Sequence, residues 1–278
     1  NYIVDGKNFA EEPINVYAES LTHEITFVTI PKNNLKNIYQ VFTNCDIEIE
    51  RLISRTFALG VTSLNSKELE FGSVILDLGF EKISLGLFKK LALVHSATFP
   101  IGINHIVKDI SKVCSLSLDE SENIKNNFDF SLSNSQEAFS ENNYLKDTYF
   151  DDSKYRKISK SLILNITKAR LDEIISLLKK QLIVPGFNLT SGITLFLTGD
   201  GSKLLNLDKY FSNFFGPNIK IEAQNGIDKN KNLEKDFSPC LGALKIIKDG
   251  WETEAIPEKG TQNIEKVSFF DKFFKINK

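Results

Sequence analysis

Ser73-Val-Ile-Leu-Asp77-Leu-Gly79 decides the fold: a short apolar run, one acid near its end, and a glycine that stops it. Such a run bounded by turn residues reads as a buried strand. Ile83-Ser-Leu-Gly-Leu-Phe88 returns as its hairpin partner, and Leu91-Ala-Leu-Val-His-Ser-Ala-Thr-Phe99 supplies a third strand. Pro100-Ile-Gly102 then breaks the pattern ahead of a helix near residues 104–113. Hairpin strands that give way to a crossover helix imply a mixed sheet flanked by helices, an α/β architecture whose ligand face lies at the strand ends.

Upstream, the alternating, β-branched residues 24–30 read as a strand ended by Pro31. A helix over 35–42 follows, with Asn33 or Asn34 as its N-cap. Ile49, Leu52, Ile53, Phe57 and Leu64 predict a second amphipathic helix over 47–64, closed by a polar turn at 65–67. Downstream, residues 118–155 read as a helix start followed by a poorly patterned surface excursion. A strand over 161–167 and a helix over 171–182, with Ile174, Ile175, Leu177 and Leu178 on its apolar face, restore order. The strand 193–198 runs into a small, polar turn and a helix over 204–215; a short strand at 219–221, a helix over 239–247 and a linker over 249–263 complete the body.

Composition narrows the function classes. A net charge of -2, from 34 basic and 36 acidic residues among 278, gives no field that gathers nucleic acid. Cys45, Cys114 and Cys240 are odd in number and far apart, which fits a reducing cytosol better than a disulfide framework. No apolar run approaches the ~20 residues of a bilayer span, and no signal segment opens the chain. The sequence begins at Asn1 and contains no Met, which reads as a fragment of a longer protein.

Two strand ends carry the candidate chemistry. An acid at a strand end, such as Asp77, can hold a magnesium-water shell while Gly79 lets backbone amides close on phosphate; ordinary hairpin chemistry accounts for the same residues. Thr198-Gly199-Asp-Gly201 is a second turn whose small residues admit a nucleotide to a helix N-terminus, or simply connect strand to helix. His95 and His105 lack acidic or Cys neighbours at ligand spacing, so they read as packing or hydrogen-bonding residues. No catalytic residue or metal ligand set is assigned.

The C-terminal piece is amphipathic. On a helical wheel Val267, Phe269, Phe270, Phe273, Phe274 and Ile276 fall on one half, with Ser268, Asp271, Lys272 and Lys275 opposite. Such a helix either docks on the protein's own core or lies in a membrane interface. Four phenylalanines, lysines suited to anionic lipid and a preceding linker favour the membrane.

These features resemble the actin-like ATPases: the strand-Asp-x-Gly hairpin, Pro100-x-Gly102 with Asn104-His105 and Asp109-Ile110, and the late Thr198-Gly199. Within them the chain is similar to the FtsA family of bacterial cell-division proteins. Tyr2-Ile-Val-Asp5-Gly6 with Pro13, and Ile166-Thr-Lys-Ala-Arg170-Leu-Asp-Glu173, resemble that family's motifs, and the order is kept over nearly the whole chain. The resemblance implies an actin-like (ribonuclease H-like) fold with part of a small inserted α/β domain. Residues 1–45 would be the second half of that insert, 46–70 a return to the first domain, 71–110 with 190–248 the third and 111–189 the fourth, ahead of the linker and the membrane helix 264–278.

The resemblance further implies ATP and magnesium as cofactors, with Asp77, Gly79, Gly102, Glu122, Lys125, Thr198, Gly199 and Gly201 as nucleotide contacts. It implies a scaffold on the inner face of the cytoplasmic membrane that tethers FtsZ polymers at the septum, binds the FtsZ C-terminal peptide through the 111–189 surface with Arg170 and Glu173, self-associates and meets other division proteins. Two departures argue against hydrolysis. The family's glycine- and threonine-rich phosphate hairpin is here Phe80-Glu81-Lys82-Ile83, which crowds and repels phosphate, and the second glycine of the Thr-Gly-Gly turn is Asp200. A pilus-assembly platform protein resembling PilM and an actin-fold kinase stay open as alternatives. The phenylalanine-rich tail argues against the first and the altered hairpin against the second.

Overall fold

Six consecutive buried residues, Ser73–Leu78, form the middle strand of a five-stranded mixed sheet. The computed structural model describes residues 2–9, 13–128, 143–153, 156–183, 193–204, 206–221 and 237–249. In chain order the elements are β1 (Tyr2–Val4), β2 (Lys7–Phe9), β3 (Leu21–His23), α1 (Lys32–Thr43), α2 (Arg55–Ser63), α3 (Ser66–Phe71) and β4 (Ser73–Leu78). There follow β5 (Ile83–Lys89), β6 (Ala92–Phe99), α4 (Asn104–Cys114), α5 (Leu118–Asn127), α6 (Lys160–Gln181), β7 (Thr194–Thr198), α7 (Leu207–Phe215), β8 (Ile219–Ile221) and α8 (Ser238–Asp249). The large sheet runs β6-β5-β4-β7-β8, antiparallel through β4–β5–β6 and parallel through β4–β7–β8.

Helices cover both faces, so β4 shows none of the polar alternation of a strand with one wet side. Val74, Leu76 and Leu78, with Ile83, Leu85 and Leu87 of β5, face the larger core built by α4, α5, α6 and α7. Ile75 and Phe88 point the other way, toward Leu59 of α2 and Leu69 of α3. Ala58 and Val61 of α2 meet Ile246 of α8. That contact depends on Gly242, where a Cβ would stand 2.0 Å from the carbonyl oxygen of Ala58. Any side chain there forces the helices apart.

The N-terminal part forms a separate three-stranded antiparallel sheet, β2-β1-β3. Asp5 and Gly6, both at positive φ (47° and 77°), make the tight β1–β2 turn that suits an Asp-Gly pair. The Asp5 carboxylate accepts from the backbone of Glu19 and Ser20 at 3.0 and 2.8 Å, pinning the approach to β3.

Several sequence expectations are corrected. Residues 24–30 form no strand: β3 stops at His23, and Ile25, Phe27, Val28 and Ile30 are exposed. A β-branched run pairs only where a neighbour offers a half-buried face. The first helix starts at Lys32 after Pro31, so neither Asn33 nor Asn34 caps it. The second starts at Arg55, not at 47. The supposed polar turn at 65–67 opens α3, where Asn65 and Glu68 close a capping box.

Residues 161–167 are the first turns of the 22-residue α6, not a strand. Ser159 caps it by accepting from the Leu162 amide. Its buried positions Ile163, Thr167, Leu171, Ile174, Ile175 and Leu178 follow one helical face throughout. The helix expected from 204 begins at Leu207, after a 3-10 turn over Asp200–Lys203. Within 118–155, residues 143–153 are no surface excursion, because Leu145 and Phe150 are buried in the main core. The remainder of that stretch is only partly among the described residues. The linker beyond Asp249 and the membrane helix expected at 264–278, with Val267, Phe269, Phe270, Lys272, Phe273, Phe274, Lys275 and Ile276, lie outside them. Among the described residues no helix is long and apolar enough to cross a membrane.

One carboxylate ties the 143–153 segment to α5. Glu120, 1% exposed, closes a capping box with Ser117 and accepts from the amides of Asp151, Asp152 and Ser153 at 3.1, 3.1 and 2.9 Å, and from the Ser153 hydroxyl at 3.0 Å. Burial pushes its carboxyl up, but the Ser153 and Ser117 amides, the Ser153 hydroxyl and the Asp152 amide outweigh it and hold the pKa at about 2. A depressed folded-state pKa adds stability that is complete above the ordinary carboxylate value of 4.5 and drains away as pH falls toward 2. Urea unfolding followed by circular dichroism should therefore find Glu120→Gln about 2 kcal/mol less stable at neutral pH. The same variant should lose stability less steeply than the parent below pH 4.5. Gly242→Ala should lower the thermal midpoint by several degrees, as the added methyl separates α8 from α2.

Candidate functional site

β4 and β7 are parallel neighbours, with Asp77 beside Thr198 in register, so their two C-terminal turns open on the same edge of the sheet. This is where α/β sheets place ligands, because helix starts and turn amides converge there. Gly199 follows β7 at φ +81°, and a Cβ on it would stand 2.6 Å from Asp77 Oδ1 and 2.9 Å from the Leu78 carbonyl oxygen. A Cβ on Gly201 would likewise stand 2.7 Å from the Cβ of Leu78. The two turns therefore touch backbone to backbone.

The β4–β5 hairpin is fastened to the start of α4. Ile103 and Asn104 donate their amides to the carbonyls of Gly79 and Phe80, each at 2.9 Å. A Cβ on Gly102 would fall 2.1 Å from the Phe80 oxygen, so the Pro-x-Gly102 turn fits under the hairpin only without a side chain. Glu81 at the hairpin tip accepts from Asn104 Nδ2 at 2.7 Å and faces Lys108 Nζ at 3.4 Å. The Asn104 bond, followed by the Lys108 charge, holds its carboxyl below the ordinary range despite some desolvation. The carboxylate is thus held as an anion at the hairpin tip.

Beside these turns lies a cleft of about 280 Å³ walled by Phe80, Glu122, Lys125, Asn126, Asp200 and Lys203, with Ile103 and Leu204 at its base. Glu122 and Lys125 come from α5, one turn apart on one face, and pair at 3.6 Å. Asp200 and Lys203 pair across the 3-10 turn at 2.9 Å. Two paired ions on each side give a polar cleft of no strong sign, suited to a neutral hydrogen-bonding ring with a charged end. Of the residues singled out in the sequence, Glu122 and Lys125 line the cleft, while Asp77, Gly79, Gly102, Thr198, Gly199 and Gly201 form the turns beneath and beside it.

Sequence reasoning missed Arg55. The first residue of α2 donates Nε to Asp77 Oδ2 at 2.5 Å, across 22 positions of sequence. Asp77 is 4% exposed, whereas the Arg55 side chain is 57% exposed. The hydrogen bond to Asp77 raises the Arg55 pKa against the opposing effect of burial, and the charges of Asp77 and Asp200 add to it. No periodicity or motif marks that arginine. Only the fold brings it to the strand end.

Arg170 and Glu173 stand elsewhere, on α6. Arg170 grips Asp109 of α4 with two parallel bonds, Nε to Oδ2 at 2.7 Å and Nη2 to Oδ1 at 2.8 Å, and its Nη1 donates to Glu173. The Asp109 bond dominates the upward shift of the Arg170 pKa. The arginine therefore fastens α6 to α4 while its Glu173 side stays half exposed.

Comparison with known proteins bears on this geometry. The family model for cell division protein FtsA matches residues 74–241, more than half of the chain. Among curated relatives, cell division protein FtsA of Agrobacterium fabrum is 23% identical over 81% of this chain and 51% of its own length. That of Buchnera aphidicola subsp. Schizaphis graminum is 25% identical over 98% of this chain and 65% of its own. The chain thus spans about half the length of the first of these relatives. Among solved structures, MreB5 of Spiroplasma citri bound to AMPPNP superposes with a TM-score of 0.60 over 80% of this chain and 67% of its own, at 21% identity. A match across β4, the hairpin, the 3-10 turn and the start of α8, on an actin-like fold, leads to one conclusion: this chain belongs to the FtsA family of cell-division proteins.

Proposed function

We propose that this chain works as an FtsA-type scaffold of bacterial division: it binds a nucleotide in the cleft, carries the FtsZ C-terminal peptide on the 111–189 surface, assembles with copies of itself and other division proteins, and is held on the inner face of the cell membrane by residues 264–278. The family match over 74–241 carries this reading. It favours division over the pilus-platform and kinase alternatives. The assignment of 1–45 to the inserted domain, 46–70 to the first domain, 71–110 with 190–248 to the third and 111–189 to the fourth belongs to the same proposal, with 249–263 as the linker.

The cleft supports a nucleotide by its turns. The turns at Gly79, Gly102, Thr198, Gly199 and Gly201 are assigned the phosphate side, and Glu122 and Lys125, which line the cleft, would offer polar contacts to a ribose or base. Magnesium fits poorly. The one buried carboxylate at the strand end is already paired with Arg55, and no three acidic, His or Cys side chains cluster among the described residues. With Glu81 anchored at the hairpin tip, we assign the cleft to binding rather than to hydrolysis.

The deciding experiment is recruitment of a labelled FtsZ C-terminal peptide to anionic liposomes by the full chain and by the chain lacking 267–278, both first shown folded. Recruitment that vanishes with the tail is expected. Liposome binding without peptide would reject the FtsZ reading, and failure to bind liposomes would reject the tether. In the same assay Arg170→Ala should reduce peptide capture, whereas Glu173→Gln, which frees Nη1, should raise it about twofold. Equal recruitment by all three would remove Arg170 from the peptide site.

A further inference from the structure

A buried carboxylate must be compensated by hydrogen-bond donors or by a cation, and at the end of β4 the chain supplies a cation of its own. Asp77 is almost fully enclosed, and its Oδ2 is held by Arg55 Nε at 2.5 Å. Its other oxygen, Oδ1, is buried and has no hydrogen-bond partner among the described residues. That oxygen faces Gly199, where even a Cβ would intrude to 2.6 Å. The acid is therefore closed on one side by a guanidinium and on the other by the backbone of the second turn.

Arg55 itself is only half covered. Its Nε is engaged, while Nη1 and Nη2 make no hydrogen bond among the described residues and the side chain is 57% exposed. Asp200, a wall of the cleft, lies within electrostatic reach of it. A guanidinium pinned through Nε presents its two terminal nitrogens as a planar fork, the geometry that matches two oxygens of a phosphate. A magnesium ion demands near-ideal octahedral oxygen ligation at about 2.0–2.1 Å. Here it would have to displace a cation that is tethered to the chain and that no ordinary pH deprotonates.

We propose that Arg55 is the resident cation of this site: it neutralises Asp77 in place of a divalent metal and takes the terminal phosphate of a nucleoside di- or triphosphate through Nη1 and Nη2. The proposal rests on the nucleotide reading of the cleft for its ligand. Its statement about the metal stands apart from that reading.

Two measurements on the full 278-residue chain test it. Calorimetric titration with ADP in EDTA and in excess magnesium should give dissociation constants within about twofold of each other. For Arg55→Ala, binding in EDTA should weaken by about tenfold or more and recover with magnesium, once Asp77 is vacant. Electron paramagnetic resonance with manganese alone should find no site that depends on Asp77 in the parent. It should find one in Arg55→Ala, and lose it again in Arg55→Ala/Asp77→Asn, which leaves no buried charge and serves as the folded control. An Arg55→Ala chain that folds only when manganese is present supports the proposal equally.

ADP affinity in the parent that falls about tenfold in EDTA overturns it. So does a manganese site in the parent that Asp77→Asn abolishes, or a folded Arg55→Ala chain that gains no manganese. Should ADP bind to neither protein in either buffer, the nucleotide reading and the phosphate role of Arg55 fall together. The manganese series then decides the resident-cation claim by itself.

Discussion

The position of β4 between an antiparallel and a parallel neighbour governs the rest of the large sheet. Its parallel pairing with β7 places Asp77 beside Thr198 and brings both C-terminal turns to one edge. Its antiparallel pairing with β5 sends the hairpin over the start of α4. Since both faces of the strand are covered, its two polar residues are buried: Ser73, whose hydroxyl has no hydrogen-bond partner among the described residues, and Asp77, the strand's one charge. The Arg55 contact answers the demand that this single buried charge creates.

The same logic explains how the site is divided. Groups that hold shape, namely Gly199, Gly201 and Gly102, pack so closely on the β4–β5 hairpin that a Cβ on any of them would meet a neighbouring atom at 2.1 to 2.7 Å. Groups that meet solvent in the cleft, Glu122, Lys125, Asp200 and Lys203, are paired locally with residues three positions away. Close-packed turns give a rigid floor, and short-range ion pairs give walls that can exchange one partner for another at small cost.

Much of the large sheet was legible because its signals are local. The apolar run at 73–78, the glycine breaks and the recurrence at 83–88 and 92–99 each mark a strand without reference to anything distant. The failures arose where neighbours decide. Residues 24–30 and 161–167 both carry β-branched residues, yet among the described residues the first joins no strand ladder and the second continues the buried face of α6. The Asn65–Glu68 capping box was readable and overlooked, since its spacing is a local rule. Arg55 and the backbone ligands of Glu120 were unreadable, because each joins positions 22 to 33 residues apart that only the finished fold brings together.

The tight seam between α8 and α2 has a mechanical consequence. With Gly242 seated against the Ala58 carbonyl, neither helix can slide or rotate without forcing backbone into backbone, so the pair behaves as one stiff lever. Arg55 sits at the first residue of that lever and Asp77 at the end of the strand it crosses. The distance between guanidinium and carboxylate is thus set by how that helix pair is seated on the sheet.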